Sequence, residues 1–261
     1  MSSNLPRGLA TLELLAQHID GLPLHAIAKF LDTSRSTAHR VLAELVSCGY
    51  VRQHAEFTPY RLTIKMATLG LTYLADTGAT ELVQPVLDKL ASATGELARM
   101  SFVEGERLIW VARAQGARGG LRYDATSDPG EEVRLFCSSN GQAWLSCFSD
   151  EKALEIMLRQ GFGEPGSFGP NAPRNIQAFL ACLHEARSRG YAAVHDSYEV
   201  GISAMGAPVR HSVDQRVIGA VSMAGPTARL TPERMEELSP LVLAAAAELS
   251  ANSAGIRALA R

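Results

Sequence analysis

The chain has no apolar run near the roughly 20 residues needed to cross a bilayer. Its first ten residues, MSSNLPRGLA, lack the basic-then-apolar layout of a secretion signal. A cytoplasmic protein with no membrane partner is therefore expected. Cysteine is scarce: there are four in 261 residues (Cys48, Cys137, Cys147, Cys182), with no CxxC pair and no histidine at zinc-ligand spacing. That excludes a disulfide framework or a zinc site as the organising feature and favours buried free thiols. Neither a metal nor a cofactor is expected. No charge sign dominates, since the net is −2, so the overall balance says nothing about partners. What is present is a 46% hydrophobic composition, which excludes a disordered or collagen-like chain and is enough for a real core. The length allows two domains.

Divided at Lys65, the charge changes sign. Residues 1–65 hold seven Lys/Arg against five Asp/Glu, and the remainder holds 18 against 22. Four of the seven histidines (His18, His25, His39, His54) also fall in the first part. A mildly basic head on an acidic body suits a nucleic-acid module joined to something else.

Leu9, Leu12, Leu15 and Ile19 recur at helical spacing and predict a helix from Gly8 to Asp20, closed by Gly21. Leu24, Ile27, Ala28 and Leu31 predict a second helix, and Asp32-Thr33 a turn. A third begins at Ser34, with Ser34 or Thr33 as its cap, apolar positions Ala38, Val41, Leu42, Leu45 and Val46, and Gly49 at the left-handed end. Tyr50 to Arg52 and Tyr60 to Thr63 read as two short strands of a hairpin. Three helices, a tight turn before the third and a hairpin make a winged helix-turn-helix pattern. The first face of the third helix carries Ser34, Arg35, Ser36, Thr37, His39 and Arg40, rich in hydroxyls and cations and nearly free of carboxylates. Arg35, Ser36 and His39 suit base edges, whereas Thr37 and Arg40 suit phosphates. Arg52, His54 and Arg61 place further cationic groups on the hairpin. A solvated amphipathic helix has the same pattern.

Leu62, Ile64, Met66, Leu69, Leu71, Tyr73 and Leu74 predict an apolar helical connector ending near Gly78. It packs either on its own body or on a second copy, and a symmetric dimer would match a palindromic site. Beyond it the chain reads as α+β. A helix over 81–94 is followed by strands over 97–103 and 107–113 around Glu104-Gly105-Glu106, with short strands at 121–123 and 133–136. Ser138-Ser139-Asn140-Gly141 opens a helix whose first N–H groups suit a carboxylate, or are simply capped. Further helices are expected over 150–160 and from Ile176 to Gly190, and strands over 191–194, 204–209 and 217–223. Thr231-Pro232 starts the last helix, with Leu230 and Met235 as its staple.

RGLATLELLAQHIDGLPLHAIAKFLDTSRSTAHRVLAELVSCGYVRQ, FCSSNGQAWL, HDSYEVGISAMGAPV and GAVSMAGPTARLTPERMEELSPLVLAAAAELS resemble, in order, segments of IclR-type bacterial transcriptional regulators. The resemblance covers about residues 7–252. It implies a two-domain α+β protein, with a winged helix-turn-helix (1–65), a linker helix (66–78) and a GAF-like effector-binding domain (79–261). It further implies a homodimer or dimer of dimers on double-stranded DNA, responding to a small organic acid. On this resemblance SRSTAHRVL is the recognition helix, and Ser138, Ser139, Asn140, Asp196, Tyr198, Ile202, Ser203, Ala204, Met205, Ser222 and Ala224 are the effector contacts. Phe136 and Gln142 stand where the family often has His and Lys. Ser203 stands where aromatic-acid responders often have Arg, which points away from an effector clamped by arginine there. The alternative is a GAF-type enzyme using Cys137, but no catalytic order of residues stands out.

Overall fold

The computed structural model describes residues 4–55, 58–77, 79–125, 130–164 and 166–255. The chain divides into two compact units, Met1–Asp76 and Thr77–Arg261. Among the described residues no helix is long and apolar enough to cross a membrane.

The first unit holds α1 (Leu5–Ala16), α2 (Leu24–Phe30), α3 (Arg35–Ser47), β1 (Val51–Arg52), β2 (Arg61–Leu62) and α4 (Lys65–Thr77). Leu12, Leu15, Ile27, Leu42, Val51 and Tyr60 form its core. α1 starts and ends earlier than the apolar spacing predicts, because Gln17 already caps it. Ile19 is consequently 92% exposed rather than on the buried face. Gly21 does not end the helix. Its φ is 78°, and a Cβ there would lie 2.4 Å from the Tyr60 carbonyl oxygen, so glycine lets the hairpin pair back through a Leu22–Tyr60 bridge. Ser34 is the cap of α3, accepting from the Thr37 N–H at 3.2 Å, and Gly49 follows in the left-handed region at φ 76°.

The second unit holds α5 (Ala79–Thr94), β3 (Leu97–Glu104), β4 (Arg107–Gln115), α6 (Ser139–Leu145), α7 (Asp150–Gln160), α8 (Ile176–Arg189), β5 (Ala192–His195), β6 (Ile202–Arg210), β7 (Val217–Pro226) and α9 (Pro232–Asn252), with a short 3-10 turn at Ser253–Gly255. The strands form one antiparallel sheet in the order β4-β3-β7-β6-β5. Segments 121–123 and 133–136, expected as strands, are not. Glu132 makes one bridge to Ile109, with the Trp110 and Val133 N–H groups donating across, and 135–137 already turn toward α6.

Strand alternation divides the core. Ala98, Met100, Met205, Ala207, Val221 and Met223 meet α5 and α9 on one face. Leu108 and Trp110 join Phe136, Trp144, Met157 and Phe179 on the other, where α6, α7 and α8 lie. Leu230 and Met235 are both buried at the start of α9, as a staple requires, and the Thr231 side chain accepts from the Arg234 N–H.

Candidate functional site

Two sites are built, one in each unit. In the first, Ser34, Arg35, Ser36, His39 and Arg40 are exposed and Thr37 is half-buried. The Ser34 hydroxyl is committed to the cap and lies 3.0 Å from the hydroxyls of both Ser36 and Thr37, so these three shape the helix start as well as its surface. Arg35 and His39 are one turn apart and line an open cleft of about 520 Å³ with His25, Gln53, Thr58 and Tyr60. No acid lies in the first turn of α3; Glu44, further along, accepts from the Asn4 amide. Arg52 is exposed and pairs in register with Arg61. Arg61 differs from the rest, because its Nε donates to the Asp20 carbonyl at 2.8 Å and braces the loop before α2. The face thus presents Arg35, His39 and Arg40 to solvent at the width of one helix, the form that fits a major groove.

In the second unit a cavity of about 20 Å³ lies against the sheet. It is lined by Arg99, Trp110, Tyr123, Arg134, Ser138, Ser139, Val194, Tyr198, Ile202, Ala204 and Ala224. Ser138, Ser139, Tyr198, Ile202, Ala204 and Ala224 were expected there from the sequence. Ser203 and Met205 are not in it. Four consecutive strand residues cannot line one pocket, since alternate side chains face opposite ways. Met205 is in the core under α9, and the Ser203 hydroxyl meets His195 Nδ1 at 2.8 Å and the Thr227 hydroxyl at 3.0 Å. Asn140 and Asp196 are also placed elsewhere. The Asn140 side chain, fully buried, donates to Ser101 Oγ at 2.7 Å and to the Ala220 carbonyl at 2.8 Å, pinning α6 to the sheet. Asp196 accepts from the Gly201 N–H and from the Thr227 hydroxyl, fixing the tight turn before β6. The expected free N–H groups at the α6 start are not all free, because Ser138 Oγ caps the Gly141 N–H at 3.1 Å. Ser222 lies on the cavity face of β7, one pleat from Ala224, paired in register with Arg99.

Arg99, Trp110, Tyr123, Arg134 and Val194 complete the lining and went unnoticed in the sequence. Arg99 is 7% exposed, and its guanidinium lies 4.0 Å from the centre of the Trp110 ring and 5.7 Å from that of Tyr123. Burial pushes its pKa below the usual arginine range, while Tyr123, Tyr198 and the Glu199 carboxylate push back. Burial raises the phenols of Tyr123 and Tyr198. Cys137 is buried beside the cavity without lining it, and burial pushes its thiol up to about 12. Such a group stays protonated at neutral pH and is a poor nucleophile.

An exposed cationic helix face in one unit and a small cavity against the sheet in the other are features that suit a DNA-binding regulator with a ligand-binding domain of its own. The comparisons agree. Residues 5–55 match the IclR helix-turn-helix domain, and residues 71–251 match the bacterial transcriptional regulator IclR C-terminal domain. The chain belongs to the IclR family of transcriptional regulators. It is 30% identical over 229 residues to the DNA-binding transcriptional repressor YiaJ of Escherichia coli, covering 88% of this chain and 80% of that protein. It is 25% identical over 248 residues to the Pca regulon regulatory protein of Pseudomonas putida, covering 95% and 82%. The fold matches an IclR transcriptional regulator from Alicyclobacillus acidocaldarius with a TM-score of 0.80 at 23% identity, over 95% of this chain and 97% of that one. It also matches an IclR homologue from Microbacterium hydrocarbonoxydans complexed with 4-hydroxybenzoate, with a TM-score of 0.78 at 19% identity, over 98% and 100%.

Proposed function

We propose that this regulator controls a catabolic operon from the cytoplasm, and that a small organic acid bound in the sheet-side cavity changes its affinity for a palindromic operator. The observation that carries the reading is the pairing of an acid-free cationic helix face in one unit with a cavity holding a buried cation in the other. Arg35, Ser36 and His39 read base edges, and Thr37, Arg40 and Arg52 hold phosphates, which orient the helix without selecting sequence. The ligand acts by its differential affinity for two arrangements of the chain, because equal affinity for both would shift nothing.

The same reading makes the active species a homodimer. Leu5 and Leu9 on α1 and Leu69, Leu71 and Tyr73 on α4 are about half exposed or more. Leu5, Leu9, Leu12, Leu45, Met66 and Leu69 line an apolar cleft of about 680 Å³ within the first unit. A second copy is the occupant that both covers this surface and supplies a second groove reader related by two-fold symmetry. Such dimers also pair into dimers of dimers. The enzyme alternative has no support in a protonated Cys137 set outside the cavity.

A salt titration on DNA from upstream of the protein's own gene, against a scrambled duplex of equal length and with and without small organic acids, tests the reading. Binding that is specific and altered by one acid supports it. Binding no tighter than to the scrambled duplex removes self-regulation.

A further inference from the structure

On the reading that α3 enters the groove, we infer that the open cleft between α2, α3 and the hairpin takes one strand of the duplex. His25 and His39 meet that strand as imidazolium ions, so DNA binding takes up protons and strengthens as pH falls. His25 is thereby a further DNA contact, and the proton a regulator that acts in the first unit itself.

In a helix-turn-helix the second helix lies in the groove while the first crosses the backbone. His25, the second residue of α2, faces the same cleft as Arg35 and His39 of α3, and Gln53, Thr58 and Tyr60 form its hairpin wall. His25, Arg35 and His39 are all exposed. The wall is held by the Gln53 side chain, whose Nε2 donates to the Thr58 carbonyl at 2.9 Å. An imidazolium donates from both ring nitrogens, which suits a phosphate oxygen for His25 and a base-edge acceptor for His39.

The surrounding charges leave the cleft without a counter-ion of its own. Five acids fall in residues 1–65. Glu13 is on α1, Asp20 in the loop after it and Asp32 in the turn before α3, while Glu44, toward the far end of α3, accepts from the Asn4 amide. None of these four lines the cleft, and Glu56 lies outside the described residues. Lys29, one turn along α2 from His25, and Arg40, next to His39, are exposed and add positive charge. Tyr60 is the other titratable group of the lining; burial raises its phenol, which stays neutral at physiological pH.

Arginine and lysine keep their charge throughout that range, whereas histidine changes charge between about pH 5 and 8. A phosphate beside an imidazole favours the charged form, so binding the duplex draws in protons. The added affinity is fully present below the imidazole range and is lost as pH rises through it. Arg35 supplies the constant part of the attraction, and the two histidines supply the conditional part.

The test measures binding of the full-length protein at pH 6, 7 and 8 and fixed salt. The probes are the duplex from upstream of its own gene and the scrambled duplex, read by fluorescence anisotropy. Wild-type affinity for both is expected to rise about tenfold or more from pH 8 to pH 6, since each proton taken up changes affinity by up to about tenfold per pH unit. The salt slope steepens by about one at the lower pH. Calorimetry in two buffers of different ionisation enthalpy reads the proton uptake directly. His25→Gln and His39→Gln each lose part of the rise and the double variant loses most of it, whereas His39→Arg binds more tightly than wild type at pH 8. His18→Gln keeps the wild-type dependence, because His18 lies outside the cleft with its Nδ1 at 2.9 Å from the Leu14 carbonyl. Circular dichroism establishes that each variant is folded, and His39→Arg carries the test if the double variant is not. An affinity that is flat between pH 6 and pH 8, or a rise that the folded double variant retains, overturns the inference and leaves DNA binding by α3 standing. No binding to either duplex at low salt and pH 6 overturns both. Equal binding to the two duplexes, with a pH dependence that the double variant loses, supports the cleft and removes only self-regulation.

Discussion

The two units keep their arginines in opposite surroundings. On α3, Arg35 and Arg40 stand in water on a helix whose first turn carries no acid. On β3, Arg99 is 7% exposed, lies against Trp110 and has Glu199 for its acidic neighbour. An exposed cation costs the fold almost nothing and is available to a polyanion, with an affinity that salt weakens. A buried one costs desolvation and is insulated from salt, so its interaction with a small anion is strong and geometrically exacting. The difference predicts that changes in the first unit alter DNA binding with little effect on folding. Changes in the second alter folding or ligand binding.

The largest effect is expected where the cavity wall is anchored. Phe136 is 2% exposed and packs edge-on against Phe162 and Phe168, so Phe136→Ala should cost about 3–5 kcal/mol of stability in urea unfolding. A loss below about 1 kcal/mol would show that this side of the sheet is loosely packed. Arg35→Ala should leave stability unchanged and weaken operator binding by about 1–3 kcal/mol, with relaxed choice at one base position. Arg40→Ala should weaken every duplex alike and reduce the salt slope by about one. Equal losses on all DNA from both variants would remove the distinction between base reader and phosphate anchor. Ser34→Ala, which deletes the α3 cap, should lower stability by about 1 kcal/mol, a shift readable in thermal unfolding.

The smallest effect is chemical. Cys48 is exposed in the first unit, whereas burial holds the Cys137 thiol protonated at pH 8. A disulfide reagent at that pH should therefore modify Cys48 promptly and Cys137 only on unfolding. Equal rates in the native protein would contradict the described burial.

Most of the architecture was legible because amphipathic helices and alternating strands write their periods into the sequence. The α7 span, the β3–β4 hairpin and the α9 cap were placed from apolar spacing and turn chemistry. The exposed face of α3 was legible for a related reason: a surface helix presents its chemistry in one contiguous run. The cavity was not, since its lining comes from separate strands, the segment before α6 and the turn before β6. Resemblance placed Ile202, Ser203, Ala204 and Met205 together, yet alternation alone separates them into two faces. It also drew attention to Ser203 on β6 as the position lacking an arginine, while the cavity's buried arginine, Arg99, comes from β3, two strands away in the same sheet. The available signal was a lone cation in the strand Leu97 to Val103, whose other residues are apolar except Ser101. Gly21 was misread because its role is set by the Tyr60 backbone 39 residues away in sequence rather than by its own helix.

Selection of bound duplexes from a random library tests the division between the two units most directly. Wild type, Arg35→Ala and Arg99→Met would be run side by side, with sequencing of the bound fraction. The account predicts an inverted repeat with half-site centres one helical turn or a multiple apart for wild type. It predicts the same repeat for Arg99→Met, and for Arg35→Ala the repeat with one symmetric pair of positions no longer specified. No enriched sequence in wild type, or a repeat that Arg99→Met alters and Arg35→Ala leaves intact, would contradict it.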